Sequence, residues 1–294
     1  MQAVGESERV NDVPGVVQAL LDSQTPHAAH FIVTVYGDIV EPRGGTLWMG
    51  TLIEVCSAHG ISESLVRTAV SRLVASGRLI GERNGRRSFY RLTAAARREF
   101  TAAARVLFFP VAAASGWLLW ANTPDDLDDR IWVRIGEGVA MAPDRADLKR
   151  PEGLLFRMEA EQGLERLPDF AARLWNLDAI AEGYSQVITR FTPVLQGLEQ
   201  GQGLNGADAL ALRLMLVDQY RAVALRDPRL PLPALPDDWT GGPCRQLFTR
   251  LYRLLSTAAE THIGLHFRDA GGFLLAHTEG SQLRLQRLAQ DELA

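Results

Sequence analysis

The stretch from Ile61 to Thr93 restricts this chain more than any other, because spacing, turn chemistry and charge agree there. Ser62 stands where a helix N-cap belongs, its oxygen placed to accept from a free helix amide. Glu63 follows in the first turn, where a negative charge suits the helix dipole. Leu65, Ala69, Val70, Leu73 and Val74 recur at steps of three and four and form an apolar stripe. Arg67, Thr68, Ser71 and Arg72 fall outside it, free to touch something else. Gly77 stops the helix and Leu79-Ile80 opens a strand. Asn84-Gly85 is the dipeptide that supplies the positive φ angles of a two-residue hairpin turn, and Ser88 to Leu92 returns as the second strand.

Charge singles out the same stretch. From Ile61 to Phe100 there are nine arginines (67, 72, 78, 83, 86, 87, 91, 97, 98) against three glutamates (63, 82, 99), a local balance of plus six. The whole chain carries minus four, so the remainder sums to minus ten. A basic island on an acidic protein is an electrostatic footprint for phosphate. A helix followed by a basic hairpin is also how a winged helix-turn-helix presents its groove-entering helix and its wing. A solvated arginine-rich face is the plainer alternative.

At 294 residues, 47% hydrophobic and 22% charged, the chain is long enough for about two domains or three smaller ones. Cys56 and Cys244 have no partner at CxxC spacing, so neither a disulfide framework nor a zinc site is indicated. No apolar run approaches the ~18 residues of a membrane span, and Met1 to Asn11 has no hydrophobic signal core. A cytoplasmic protein without membrane contact is expected.

Residues 1–27 read as an amino-terminal arm in which Val16, Val17, Leu20 and Leu21 are the one helix-like cluster. Residues 28–107 form the DNA-binding region. Ala28 to Val40 supplies a first helix, Glu41 to Gly45 breaks it, and Thr46 caps a second carrying Leu47, Leu52, Ile53 and Val55. His59-Gly60 then turns into the helix at Ser62. Residues 108–177 alternate strands (Trp117 to Trp120, Ile131 to Ile135, Val139 to Met141, Leu154 to Met158) with a helix from Asp169 to Leu174, an α+β pattern. Residues 178–294 turn helical over Asp178 to Leu198, with Pro193 set to kink or shift the helix, and over Gly206 to Leu225 and Cys244 to Ala259. Arg268 to Ala294 is mixed in charge and expected to fray.

Motifs for chemistry are sparse. Gly201 to Gly206 spells GxGxxG, but it follows a helix rather than a strand, so a helix–helix turn outweighs a dinucleotide loop. Glu260, His262 and His266 share one stretch without the H-E-x-x-H order of a zinc site. The acidic run Asp125, Asp126, Asp128 and Asp129 fits a solvated loop better than a cation site. Trp117, Trp120, Trp132, Trp175 and Trp239 with Phe156 are candidates to line an apolar pocket, although core packing is the commoner fate of such residues. Arg134, Arg157 and Arg253 are candidates to meet phosphates, with surface ion pairs the commoner role. No metal site and no catalytic residue is assigned.

Four runs carry a resemblance: Phe31 to Asp38, Pro42-Arg43-Gly44-Gly45 with Leu47-Trp48-Met49-Gly50, Val66 to Leu73, and Gly85 to Thr93. With Leu174 to Leu177, Arg226 to Pro231, Leu235 to Trp239 and Leu251-Tyr252, they resemble the PaaX family of transcriptional repressors from Ala28 to about His266. The resemblance implies an α+β protein with an amino-terminal winged helix-turn-helix, a middle ferredoxin-like domain similar to a CRISPR adaptation nuclease subunit, and a helical carboxy-terminal domain. It further implies a homodimer on double-stranded operator DNA that represses phenylacetate catabolic genes and is released by phenylacetyl-CoA or a related acyl-CoA. An acyl-CoA held between the middle and carboxy-terminal domains is one arrangement that would switch the dimer, but nothing in the sequence locates its site, and no other cofactor is expected. Nuclease relatives of the middle domain use an Asp at the end of the first strand. Here Trp117 to Ala121 runs into Asn122, which argues against cleavage.

On this reading Arg67, Thr68, Ser71 and Arg72 meet base edges and nearby phosphates, while Arg83, Arg86, Arg87 and Arg91 contact the backbone or minor groove from the wing. A metal-dependent nuclease, a CoA-thioester enzyme and a nucleic-acid binder without an effector are the competing readings.

Overall fold

The computed structural model describes residues 13–110, 113–123, 127 and 131–292. In chain order the elements are α1 (Val13–Ser23), α2 (Ala28–Val35), β1 (Thr46–Trp48), α3 (Met49–Ser57), α4 (Glu63–Ala75), β2 (Leu79–Asn84), β3 (Arg87–Leu92) and α5 (Ala94–Phe108). Then come β4 (Trp117–Ala121), β5 (Val133–Gly136), β6 (Val139–Pro143), β7 (Leu154–Met158), α6 (Leu167–Trp175), α7 (Leu177–Glu199), α8 (Gly206–Ala224), α9 (Gly241–His266) and α10 (Glu279–Glu292). The protein is therefore mixed helix and sheet, with two antiparallel sheets ordered β1-β3-β2 and β5-β6-β4-β7. The chain divides into two compact units. One is Met1–Pro110, Val187–Ala222 and Pro243–Ala294, and the other is Val111–Gln186 and Val223–Gly242. The helix-and-hairpin segment and most of the carboxy-terminal helices thus share one unit.

Helix α2 occupies the middle of the first unit. It is apolar on nearly every side, and such a helix has to be enclosed. Phe31, Ile32, Val35, Ile39 and Val40 are buried, and α2 packs against both α3 and α4. The helix continues as a wide π turn over Tyr36–Val40 and a 3-10 turn over Glu41–Arg43 before Gly44 adopts φ 95°. Burial carries polar groups inward as well. Asp38 and Arg213 have fully buried side chains with Nε to Oδ2 at 3.0 Å, and Arg43 and Arg213 both pair with Glu260, the latter at 2.6 Å. The Tyr252 hydroxyl donates to Asp38 at 2.8 Å, and Arg43 also donates to the carbonyls of Ile39, Leu275 and Ala276.

Several segments differ from the sequence expectation. Thr46 does not cap a helix: Thr46–Trp48 pairs with Phe89–Arg91 as the third strand of the hairpin sheet, and α3 starts after it. Helix α1 is more than a loose arm, because Val13 and Val17 are buried and the Val13 amide donates to Gln202. Over its described residues, to Glu292, the carboxy-terminal segment is held rather than frayed. Thr278 accepts from the Ser281 amide at the start of α10, and Arg284 donates to the Asp38 carbonyl while stacking over Phe108, so a mixed-charge helix is held by its inner side. Helix α9 runs on to His266, through Gly264, where Ala276 packs too closely to admit a side chain. Helix α7 continues through Pro193. Arg245 caps the end of α5 by donating to the carbonyls of Val106, Leu107 and Phe109, and it is held there by Asp291 at 2.6 Å.

In the second unit Leu118, Trp132, Ala140 and Ala142 form the core on one face of the sheet, and on the other Trp117 packs on Trp175. The sheet's four strands are all antiparallel, with β4 between β6 and β7, and of the connection from β4 to β5 the structure describes Asn122, Thr123, Leu127, Ile131 and Trp132.

Replacing Glu260 by Gln leaves Arg43 and Arg213 short of a counter-charge in a dry interior. Urea unfolding should then show a loss of about 3–5 kcal/mol, whereas Arg72→Ala on the outer face of α4 should change stability by no more than about 0.5 kcal/mol.

Candidate nucleic-acid interface

Helices α3 and α4, joined through His59, Gly60 and Ile61, make a helix-turn-helix pair. Gly60 has φ 74° and its amide, with those of His59 and Ile61, bonds back to the end of α3. The inward side of α4 is Val66, Ala69, Val70 and Leu73. The stripe is thus rotated from the expected one: Val66 takes the inner place, and Leu65 and Val74 face solvent at 54% and 39% exposure. Three- and four-residue steps fit Leu65 and Val66 equally well, so the sequence did not separate them. Ser62 is the N-cap by backbone conformation, but its hydroxyl makes no cap hydrogen bond and instead pairs with the Ser64 hydroxyl.

Arg67, Thr68, Ser71 and Arg72 are all exposed on the outward side of α4. Arg67 is tied to Glu63 at 2.7 Å and Thr68 donates to the Ser64 carbonyl, whereas Arg72 has no ion-pair partner among the described residues. Leu65 lies three and seven residues before Thr68 and Arg72, on the same surface.

The hairpin is built differently at its tip. Asn84 pairs with Arg87 inside the ladder, so the two turn residues are Gly85 and Arg86, and only Gly85 has positive φ, at 59°. Glycine at the first central position is one of the two favoured ways to match the strand twist. Arg86 therefore sits at the exposed tip. Alternation along the strands separates the other arginines: Arg87 and Arg91 share one face with Ile80 and Glu82, while Arg83 is on the other with Tyr90 and Ser88. Arg91 pairs with Glu82 at 3.1 Å, Arg87 lies over the Trp48 ring, and Arg83 donates to the Gly85 carbonyl.

Other sequence candidates resolve elsewhere. The GxGxxG run is a turn between α7 and α8. Asn205 caps α8 through the Asp208 amide, and Gly206 lies so close to His262 and the Ala258 carbonyl that a side chain would not fit. Glu260 belongs to the buried ionic cluster, and His262 stacks on His266 at 4.2 Å. No group of three or more His, Cys, Asp or Glu suited to a metal occurs among the described residues. The tryptophans pair off, Trp117 with Trp175, Trp120 with Trp132 and Trp239 with Tyr184, and Phe156 is exposed. Arg157 pairs with Asp144, Arg253 with Glu292, and Arg134 donates to Thr123. Asn122, at the end of β4, has φ 58°, and Asp125, Asp126, Asp128 and Asp129 lie outside the described residues. Cys56 and Cys244 are free and buried, and burial pushes both thiols up to about 12.

A helix-turn-helix pair whose second helix presents arginine outward, with an arginine-tipped hairpin following it, is the class of surface that fits a duplex groove and its flanking phosphates. The family profile PaaX-like protein matches residues 27–96, and the profile PaaX-like protein C-terminal domain matches residues 175–264. The chain belongs to the PaaX family. It is 29% identical to the transcriptional repressor PaaX of Escherichia coli (strain K12), over 87% of this chain and 94% of that one. An uncharacterized protein from Mycobacterium tuberculosis of solved structure is 22% identical, covering 72% of this chain and 89% of its own, at a TM-score of 0.42. No helix among the described residues is long and apolar enough to cross a membrane.

His59 in the turn is 1% exposed, packs against Phe31 with the rings tilted at 53° and their centroids 4.2 Å apart, and neither ring nitrogen has a hydrogen-bond partner among the described residues. Burial lowers its pKa from the usual imidazole value of about 6.5 to about 4. Below the unfolded value the unfolded chain binds the proton that the folded ring refuses, so stability falls as pH drops from about 6.5 toward 4. Between pH 7 and pH 5 this ring should remove roughly 2 kcal/mol, and His59→Leu should flatten that part of the stability profile in urea melts.

Proposed function

We propose that the protein is a DNA-binding transcriptional repressor of phenylacetate catabolic genes, acting as a homodimer whose two winged helices take the half-sites of an operator. The observation that carries this reading is the pair of exposed arginines without ion-pair partners among the described residues, Arg72 on the outward side of α4 and Arg86 at the hairpin tip. It is supported by the name of the Escherichia coli relative, a transcriptional repressor aligned over most of both chains. On that footing the protein is a binder rather than an enzyme, with an amino-terminal winged helix, an α+β middle and a helical carboxy-terminal part. Phenylacetyl-CoA or a related acyl-CoA is the proposed effector. It releases DNA only by favouring the DNA-incompetent state, and near-complete release takes a preference of about 5.5 kcal/mol.

Arg72 is assigned to a base edge, where a guanidinium bonds guanine O6 and N7 together, and Arg86 to phosphate. Mobility-shift titrations on the protein's own upstream DNA test both assignments. Arg72→Ala should cost about 1–3 kcal/mol on the operator and much less on unrelated DNA, while Arg86→Ala should weaken both alike and lower the salt slope by about one. Equal loss by both variants on all sequences would end this division of labour. Adding phenylacetyl-CoA, but not free phenylacetate, should release the operator. Binding indifferent to every CoA thioester would end the effector assignment.

A further inference from the structure

Helix α4 carries one exposed side chain that its arginines do not account for. Leu65 is 54% exposed, more than any other large apolar side chain described between Val13 and Pro110. It stands in the first turn of the helix among Ser62, Ser64, Arg67 and Thr68, all of them exposed. The inward side of α4 is complete without it, being made of Val66, Ala69, Val70 and Leu73. Nothing in the packing of the helix therefore requires a leucine at this position.

Leu65 and Arg72 are seven residues apart, two turns less about 20°, so they stand on one line along the helix, separated by about 10.5 Å. Arg67 is about 160° round the axis from Leu65, and it is tied to Glu63. Thr68 lies between Leu65 and Arg72, and its hydroxyl donates to the Ser64 carbonyl at 2.8 Å. The Ser64 hydroxyl in turn pairs with that of Ser62. The line thus presents a hydrocarbon branch at one end and, at the other, a guanidinium without an ion-pair partner among the described residues. The charge around Leu65 selects the class of partner. Arg72 and Arg86 belong to a stretch with a local balance of plus six, which attracts a polyanion rather than an apolar peptide.

In the major groove of a duplex the base edges offer acceptors, amino donors and one apolar group, the C5-methyl of thymine. A leucine set against a carbonyl or amino group removes its water and returns no hydrogen bond, whereas against the methyl it hides apolar surface on both sides. We infer that Leu65 reads a thymine through its C5-methyl group, about three base-pair steps of 3.4 Å from the guanine assigned to Arg72. This assignment rests on the repressor reading and adds to it a base that the arginines do not choose. Cytosine at that place is rejected, because it lacks the methyl and brings an amino group against the leucine.

The test starts from sites that the full-length wild-type chain selects from a random duplex library. The selected site is then remade with deoxyuridine in place of single thymines, which removes the methyl and no hydrogen-bonding group. At one thymine, about three base pairs from the guanine whose preference disappears in Arg72→Ala, deoxyuridine should weaken the wild type about fourfold, the effect of one buried methyl. The same change should weaken Leu65→Ala by less than about 1.5-fold. Leu65→Ala replaces an exposed leucine by a stronger helix former, so it should fold normally by circular dichroism. Leu65→Met, which keeps an apolar side chain, should retain the deoxyuridine response. Deoxyuridine harmless to the wild type at every thymine, or an equal penalty in Leu65→Ala, overturns the assignment and leaves the repressor reading standing. A wild-type chain that enriches no site ends both.

Discussion

Four charged side chains in a dry space, Asp38, Arg43, Arg213 and Glu260, set the terms for the rest of the first unit. Their side chains are 0–3% exposed, and they come from three places in the chain: the turns after α2, helix α8 and helix α9. Taking such groups out of water is expensive, and the expense is offset only when every partner is present in a fixed geometry. The cluster therefore acts less as a source of stability than as a condition on assembly. The turns after α2 are matched in charge only with α8 and α9 in place beside them. Helix α4, whose outer surface carries Arg72, rests on α2. The orientation of the basic helix is thus fixed by residues more than a hundred positions away, and a shift of α8 or α9 would reach α4 through α2 without passing through any loop.

Arginine serves two opposite purposes here, and the distinction lies in the partner. Arg43 engages one carboxylate and three backbone carbonyls, and Arg245 closes the end of α5 with three carbonyls and Asp291. A planar group with five donors suits such sites, where the compact lysine head would leave some acceptors unpaired. At Arg72 on the outer surface of α4 and at Arg86 on the hairpin tip the same side chain meets no carboxylate among the described residues. Its charge is available there, which is how an acidic protein presents a cationic patch.

Periodicity and turn chemistry made most elements legible. The hairpin, the α4 helix, all four strands of the second sheet and the long helices α7 and α8 follow from the order of residues. What was missed depends on tertiary partners. Thr46–Trp48 is a strand because β3 lies alongside it, and the mixed-charge α10 persists because Arg284 and Leu288 find the interior. The choice of Val66 over Leu65 for the inner side of α4 is decided by the helices it meets, since both satisfy the same spacing. At the site, the exposure of the basic residues was readable, but their pairing was not. The i,i+4 spacing of Glu63 and Arg67 allows their pair, but nothing in the order of residues says that Arg72 has no ion-pair partner among the described residues. His59 showed only as a turn residue, because a single buried imidazole leaves no pattern.

The strand register adds a restriction that counting arginines conceals. A hairpin lying along a duplex presents its tip and one face, and the opposite face looks away. Arg86 is common to either presentation, whereas Arg83 and the pair Arg87 and Arg91 exclude each other. The face with Arg87 and Arg91 has part of its charge already engaged, by the Trp48 ring and by Glu82. Using it for phosphate means competing with those contacts. Arg83 has only the Gly85 carbonyl to give up, a neutral acceptor that costs less to leave than a carboxylate. Charge alone would rank the four hairpin arginines as equals. If the hairpin serves the proposed function, the local chemistry favours Arg86 and Arg83 over Arg87 and Arg91, whose charge is already engaged by the Trp48 ring and Glu82, as its contacts to a phosphate backbone.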